Sequence, residues 1–357
     1  MQTTTANLDS IYFGQESLAN IQRMILANKY SSVFILCDEN TEIHCLPAFV
    51  EFSELESAGL LIIHAGESEK TFDTVSDVCK SLLAEGADRK ALLINLGGGV
   101  VSDIGGFVAS IYKRGIDFIN VPTTLMAMVD ASIGGKTGVN LSGAKNSVGV
   151  FSSPQAVFID SDFLATLAEE EFHAGFAEVI KHALIGDAEY WNTISQLSDF
   201  KSVSDIDDII LQSVEIKKLI TDEDFKESGI RKSLNFGHTL GHAYESSSMK
   251  SQENKLLHGN AVALGMIGEL FLSSKLAGFP TDKLTTVIDF LVKHYGKFIY
   301  SINENELDEF LNSDKKNENG KIGFYLLKEI GVGAGMFFPE HQLIEEAVAF
   351  TKSILTE

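Results

Sequence analysis

Short apolar, β-branched runs alternate with helix-length segments through the first half of the chain, and this rhythm narrows the possible folds more than any other feature. SVFILC (32–37), LLIIHA (60–65), ALLINL (91–96), FINVP (118–122) and AVFID (156–160) read as buried strands. EKTFDTVSDVCKSLLAEG (69–86) and VVSDIGGFVASIYKRG (100–115) read as helices between them. A strand joined to a parallel neighbour through a helix makes a right-handed crossover, so the alternation predicts a largely parallel sheet with helices on its faces. From about residue 163 the texture changes. EEFHAGFAEVIKHALIGD, DIDDIILQSVEIKKLITDEDF, HGNAVALGMIGELFLSSKLAG and HQLIEEAVAFTKSIL all carry a 3.6-residue apolar period. KIGFYLLKEIGVGAGMFFP (321–339) is the exception and reads as a hairpin around Gly331 and Gly333. At 357 residues the chain exceeds what one core commonly supports. The expectation is an α/β protein: a Rossmann-like parallel-sheet domain over 1–162, then a mainly helical domain over 163–357, with the site in the cleft between them.

The charge balance restricts the partners. A net charge of −22 opposes nucleic acid and anionic membranes, both of which need a broad basic surface. An acidic chain can still hold a small anion where a few of its 28 basic residues converge. MQTTTANLDS lacks the basic start and apolar stretch of a signal peptide, and no apolar run has the length of a membrane helix. Three cysteines, Cys37, Cys45 and Cys79, are too few and too irregularly spaced for a disulfide framework or a thiolate zinc site. A cytoplasmic protein acting on a small molecule is expected.

Two glycine clusters suggest phosphate chemistry. NLGGGVVSDIGG (95–106) follows a strand and opens a helix, where backbone N–H groups and the helix dipole can cradle a pyrophosphate. The spacing departs from G-x-G-x-x-G because Ser102 takes the third glycine's place, and a tight strand-to-helix turn explains the cluster equally well. ASIGGKTGVN (131–140) contains Gly-Lys-Thr, but the first glycine of a P-loop falls on Asp130, which removes the case for a nucleoside triphosphatase. Between Pro122 and Asn146, the polar residues Thr123, Thr124, Asp130, Lys136 and Lys145 are denser than a simple connecting loop requires.

The helical half offers metal ligands: Glu178, His238 and His258, with His242 a fourth candidate. One Glu and two His leave a vertex free for water or substrate, the plan of a catalytic zinc site. There is no HExxH. By spacing alone, His238 and His242 pair on one helix face, as any residues four apart do. Lys181 follows Glu178 by three positions, a spacing that predicts an intrahelical ion pair. Further basic residues, Lys217, Lys218, Arg231, Lys315 and Lys316, lie in the same half.

GGGVVSDIGGFVAS, YKRG, VPTTLMAMVDASIGGKTGVN, GAKNSVGVF, AGFAEVIKHAL, LNFGHTLGHAYE and LLHGNAVALGM occur in this order. Together they closely resemble the motif series of the 3-dehydroquinate synthase family, from about Asp38 to the Lys315–Lys316 loop. The resemblance implies a zinc or cobalt site made by Glu178, His238 and His258, with His242 an active-site group outside the ligand set. It implies NAD contacts at Asp38, Asn40, Glu67, Lys70, Gly98, Gly99, Asp103, Thr123, Thr124, Lys136, Lys145, Phe163 and Thr166. Substrate contacts are implied at Arg114, Asp130, Lys136, Asn146, Lys181, Lys217, Glu227, Arg231, Asn235, His242 and one of Lys315 and Lys316. Of these, His242, Lys181, Asn146, Asp130 and Lys217 are the implied catalytic residues. Two departures from the family pattern are small-for-small: Ala144 before Lys145, and Ser228-Gly229 where paired glycines are usual.

The resemblance further implies conversion of 3-deoxy-D-arabino-heptulosonate 7-phosphate to 3-dehydroquinate and phosphate, with catalytic NAD⁺, closure of the domains on substrate, and a homodimer. Two rival readings share the architecture: another sugar-phosphate cyclase, and a metal-dependent polyol dehydrogenase that releases NADH. A metal-stabilised binding module is a third, disfavoured by the density of titratable groups.

Overall fold

The computed structural model describes residues 7–356, apart from 9, 143, 204, 250–254, 299–306, 308–310 and 312–320. Lys315 and Lys316 lie outside the described residues. The chain divides into two compact units, Met1–Phe172 and His173–Glu357.

The first unit is built on a seven-stranded sheet. Its spatial order is β1 (Asn7–Leu8), β2 (Ile11–Phe13), β9 (Ala156–Ile159), β6 (Asp117–Pro122), β5 (Ala91–Gly97), β3 (Ser32–Asp38) and β4 (Gly59–Ile63). All pairings from β2 to β4 are parallel, and only the terminal β1–β2 pair is antiparallel. The five apolar runs read from the sequence therefore become β3, β4, β5, β6 and β9. Central β5 is buried along its whole length, whereas β4 at the edge alternates between buried and exposed residues. That contrast is what a parallel sheet covered on both faces produces.

Helices α1 (Ala19–Asn28), α2 (Glu39–His44) and α3 (Leu46–Ser53) come first, and α4 (Phe72–Ala84) begins at Thr71, whose hydroxyl accepts the Thr74 N–H at 3.2 Å. Helix α5 (Gly99–Ile111) begins one residue after the Gly98 cap and lies directly on the sheet. A Cβ on Gly105 would fall 1.8 Å from Asn95 Oδ1, so only glycine permits this approach of helix to strand. The polar stretch after Pro122 is not a loop. It forms a π-helical turn, Ala127–Ala131, and then an antiparallel hairpin of β7 (Lys136–Leu141) and β8 (Ala144–Phe151). Strand β7 packs against α5 at Gly106, where a Cβ would come within 2.4 Å of Thr137 Cγ2.

The second unit is mainly helical. It contains α6 (Glu169–Gly186, within which the division between units falls), α7 (Ala188–Ser195), α8 (Ile206–Glu223), α9 (His238–Met249), α10 (His258–Leu276) and α11 (Thr281–Tyr295). The expected hairpin follows as β10 (Phe324–Glu329) and β11 (Val332–Phe337), turning at Gly331 with φ +76°, and helix His341–Thr356 closes the fold. Helix α10 is buried on nearly every side and packs against α9, α11, β10 and the closing helix. A helix apolar around its whole circumference is the centre of a core. Among the described residues no helix is long and apolar enough to cross a membrane.

Candidate active site

In the first unit, Gly98, Gly99, Thr123 and Thr124 meet at the carboxyl ends of β5 and β6. The Thr123 N–H donates to Gly97 O at 3.0 Å, and a Cβ on Gly98 would sit 3.1 Å from Thr124 Cγ2. The turn leaves the first N–H groups of α5 at its tip, a cradle suited to a phosphate. Close helix–strand packing, the usual task of the third glycine in a dinucleotide turn, falls here to Gly105, while Ser102 is buried. A buried amide relay supports the adjoining turn: Asn95 Nδ2 donates to Asn120 Oδ1 at 2.9 Å, and Asn120 Nδ2 donates to Ser132 O at 3.0 Å. That relay holds the π-helical turn bearing Asp130.

Neighbouring strand ends carry more of the implied nucleotide contacts. Asp38 Oδ1 accepts from the Thr41 N–H and hydroxyl at 2.8 and 2.9 Å, capping helix Glu39–His44, in which Asn40 is exposed. Phe163 and Thr166 occupy a 3₁₀ turn after β9, with Thr166 Oγ1 donating to Phe163 O at 3.4 Å. The Cys45 thiol lies within hydrogen-bond reach of both Thr166 and Thr123, which joins the loops after β6 and β9; burial pushes this thiol up. Arg114 is not with them. It is exposed, with φ 71°, three residues before β6 begins, and so lies toward the amino end of that strand, opposite the carboxyl ends where the glycine turn sits.

A second cluster in this unit joins Glu67, Lys70, Asp103, Asn140, Lys145 and Asn146. The buried Lys70 Nζ donates to Asp103 Oδ2 at 2.5 Å and to Asn146 Oδ1. Burial pushes the Asp103 carboxyl up, Lys70 pulls it down, and Glu67 and Asp130 add to the rise. Lys145 Nζ is 3.8 Å from Glu67 Oε1. Asn140, which the sequence reading did not single out, bonds to Glu67 and to the Asn146 backbone. Lys136, at the start of β7, is half-buried.

In the second unit, glycines bring the imidazoles together. A Cβ on Gly265 of α10 would fall 2.1 Å from Gly237 O and 2.6 Å from the Gly241 N of α9. One on Gly259 would fall 1.8 Å from Ala174 O of α6. Three helix backbones therefore touch where His238, His242 and His258 project. One ring nitrogen from each of these histidines lies within 4.8 Å of the others. Glu178, fully buried on α6, directs Oε1 at His238 Nε2 (3.6 Å) and His258 Nε2 (3.9 Å), while Oε2 pairs with Lys181 as their spacing predicts. Glu178 Oε1 has no hydrogen-bond partner. A buried carboxylate oxygen left without a hydrogen-bond donor is costly.

The outer ring nitrogens are also engaged. His238 Nδ1 is 3.2 Å from Phe236 O, and His258 Nδ1 is 3.2 Å from Glu245 Oε2, leaving both Nε2 atoms turned toward Glu178. Such outer partners fix the tautomer and aim of metal-binding imidazoles. Buried Glu269 of α10 accepts the N–H groups of Gly237, Thr239 and Leu240 at 2.7, 2.9 and 3.2 Å, satisfying the start of α9. Sequence reasoning missed Glu245 and Glu269. The available signals were a carboxylate three residues after His242 and the one carboxylate inside an apolar helix.

Helix α8, which carries Lys217, and the loop from it to α9 hold the remaining residues. Asp224 accepts the N–H groups of Ser228, Gly229 and Arg231 at 2.9, 2.6 and 3.1 Å, and the Ser228 hydroxyl at 3.1 Å. Desolvation raises its carboxyl, but the Gly229, Ser228 and Arg231 bonds prevail and bring it down to about 2. Ser228 thus adds a hydroxyl bond that a glycine could not make. Glu227, at φ 60°, accepts from Asn235 Nδ2 at 2.5 Å. Arg231 and Lys217 are buried, and Arg231 Nη1 donates to Phe225 O at 2.5 Å.

Known proteins match this architecture. Two family models cover most of the chain, described as 3-dehydroquinate synthase N-terminal over residues 60–174 and 3-dehydroquinate synthase C-terminal over 175–317. The 3-dehydroquinate synthase of Parabacteroides distasonis is 44% identical over 315 residues, covering 88% of this chain and 89% of its own. A 2-epi-5-epi-valiolone synthase from Streptomyces hygroscopicus, solved with NAD⁺ and Zn²⁺ bound, superposes with a TM-score of 0.84 at 26% identity over 96% of both chains. A 2-deoxy-scyllo-inosose synthase complexed with carbaglucose-6-phosphate, NAD⁺ and Co²⁺ superposes with a TM-score of 0.80 at 25% identity over 95% of both.

Proposed function

The chain belongs to the 3-dehydroquinate synthase family, and we propose that it converts 3-deoxy-D-arabino-heptulosonate 7-phosphate into 3-dehydroquinate and phosphate, using NAD⁺ catalytically and a divalent metal. The observation that carries the reading is the partnerless Glu178 Oε1 faced by His238 Nε2 and His258 Nε2. These three residues fit zinc or cobalt, which accept the same oxygen and nitrogen donors. When bound, the metal supplies Lewis acidity to a substrate hydroxyl, and NAD⁺ supplies a hydride acceptor.

The protein's own groups do the rest. His242 stands outside the ligand set and accepts the proton of the hydroxyl being oxidised at a ring nitrogen. Lys136, Lys181, Lys217 and Arg231 neutralise phosphate and carboxylate groups, giving a strongly acidic chain local cationic sites. Asn235, oriented by Glu227, and Asn146, oriented through Lys70, direct amides at substrate hydroxyls. Asp130 serves as a carboxylate contact held by the asparagine relay. Gly98, Gly99, Thr123 and Thr124 would form the nucleotide cradle, with Asp38, Asn40, Phe163 and Thr166 as further contacts from neighbouring strand ends. Burial of Lys181, Lys217 and Arg231 excludes water from reactive intermediates.

Two related cyclases are structural neighbours at about a quarter identity, whereas the 44% identity is to a 3-dehydroquinate synthase. This difference favours the heptulosonate phosphate as substrate. The net charge of −22 supports a role without nucleic acid, and free Cys37, Cys45 and Cys79 support a cytoplasmic location. A homodimer completes the reading, and sedimentation checks it.

The deciding experiment follows phosphate release from 3-deoxy-D-arabino-heptulosonate 7-phosphate at trace NAD⁺ while NADH absorbance is recorded. Many phosphates per NAD⁺, without lasting NADH, are expected. Stoichiometric NADH without phosphate would move the chain to the dehydrogenases. Silence from a metal-loaded protein would point to a different sugar phosphate.

A further inference from the structure

Asn140 has no part in the reaction as described, yet it ties together three segments of the first unit. The β7–β8 hairpin pairs Val139 with Val148 and then resumes at Leu141 with Ala144, so Asn140 sits at an irregularity in the ladder. Such irregularities release a residue from strand pairing and re-aim its side chain. Its freed N–H donates to Lys70 O at 2.8 Å. Its Nδ2 donates to Glu67 Oε1 at 2.9 Å, and its Oδ1 accepts the Asn146 N–H at 2.8 Å. Donor and acceptor are thus both used, with opposite polarity, toward two different segments.

The Asn146 contact is the informative one. Asn146 has φ 50°, a left-handed backbone that asparagine tolerates better than most residues with a side chain, and the Asn140 bond to its N–H holds it there. In that conformation Asn146 Oδ1 meets Lys70 Nζ, which also holds Asp103. We propose that Asn140 is a positioning residue that holds Asn146 and Lys70 in register, the first for substrate and the second for the nucleotide. The proposal rests on the cyclase reading. Because the Asn140 side chain serves turnover by aiming the Asn146 side chain, removing the Asn146 side chain makes that aiming expendable for kcat/KM.

The test is a double-mutant cycle of Asn140→Ala, Asn146→Ala and both together. The readouts are kcat/KM for phosphate release and the NAD⁺ dissociation constant from equilibrium titration. Each single variant is expected to lose at least about tenfold in kcat/KM, and the double to lie within about threefold of the weaker single. Losses that multiply, or wild-type kcat/KM in Asn140→Ala, overturn the proposal. If Asn140→Ala does not fold, Asn140→Asp, which keeps an acceptor for the Asn146 N–H but places a carboxylate against Glu67, replaces it in the cycle under the same criterion. A wild-type chain that binds NAD⁺ but releases no phosphate rejects the cyclase reading alone, since the cycle read in NAD⁺ affinity still decides the positioning role. A wild-type chain that binds no NAD⁺ overturns both.

Discussion

At the scale of single residues, two of the three clustered histidines share one arrangement. His238 and His258 each have Nδ1 engaged and Nε2 turned toward Glu178. Helical spacing alone pairs His238 with His242 and says nothing of His258, because i, i+4 neighbours share a face whatever their task. His238→Ala is therefore expected to lose bound metal, and His242→Ala to keep metal while turnover falls; metal analysis of the two purified variants checks this. Loss in both would favour the pairing by spacing. Glu245 tests the outer layer. Glu245→Gln keeps the shape but not the charge opposite His258 Nδ1, and metal affinity should fall about 10- to 100-fold by chelator competition. Unchanged affinity would leave Glu245 only a packing role. The charged residues of the site were legible as residue types, but the angle at which the His258 ring is held depends on Glu245, 13 positions away on another helix.

Among the elements, backbone contact decides where those rings point. Gly265→Ala drives a methyl into Gly237 O and Gly241 N, backbone atoms that cannot rotate aside. It should cost about 1–3 kcal/mol by denaturant titration and weaken metal binding as His238 shifts. Gly268→Ala meets chiefly a Leu240 methyl, which can move, and should be milder. Equal effects would show that the α9–α10 approach is not what seats the histidines. The loop between α8 and α9 carries a pH signature. Since the folded Asp224 carboxyl sits at about 2, below its unfolded value, its bonds contribute fully above about pH 4. That contribution is lost as pH falls through about 2, so Asp224→Asn should flatten the acid limb of the stability profile over this interval. An acid limb identical to wild type would remove Asp224 from the loop's support. The hairpin at 321–339 was legible because glycines interrupt two apolar runs, whereas the β7–β8 hairpin was not, since polar residues and glycine break up the apolar pattern of its strands.

For the molecule as a whole, the metal reading links binding to stability. A ligand that binds only the folded state at a thousandfold excess over its dissociation constant adds about 4 kcal/mol. Chelation should lower the melting temperature of the unit carrying Glu178 by roughly 10 °C, and added zinc should restore it. Calorimetric melting insensitive to chelator, in protein shown to lose metal, would contradict a site in that core. The sequence by itself determined the parallel sheet, the helical second half, the glycine turn and the set of chemically competent side chains. Those properties follow from local periodicity and residue type, which every short segment carries within itself. Only the tertiary structure decided that Arg114 stands toward the amino end of β6, that Glu245 meets the His258 ring and Glu269 caps α9, and that Asn140 joins three segments. The division at Phe172/His173 lies inside α6, where no change of texture marks it. These features depend on how closely backbones far apart in the chain can approach, and that distance is set when glycine faces pack against one another.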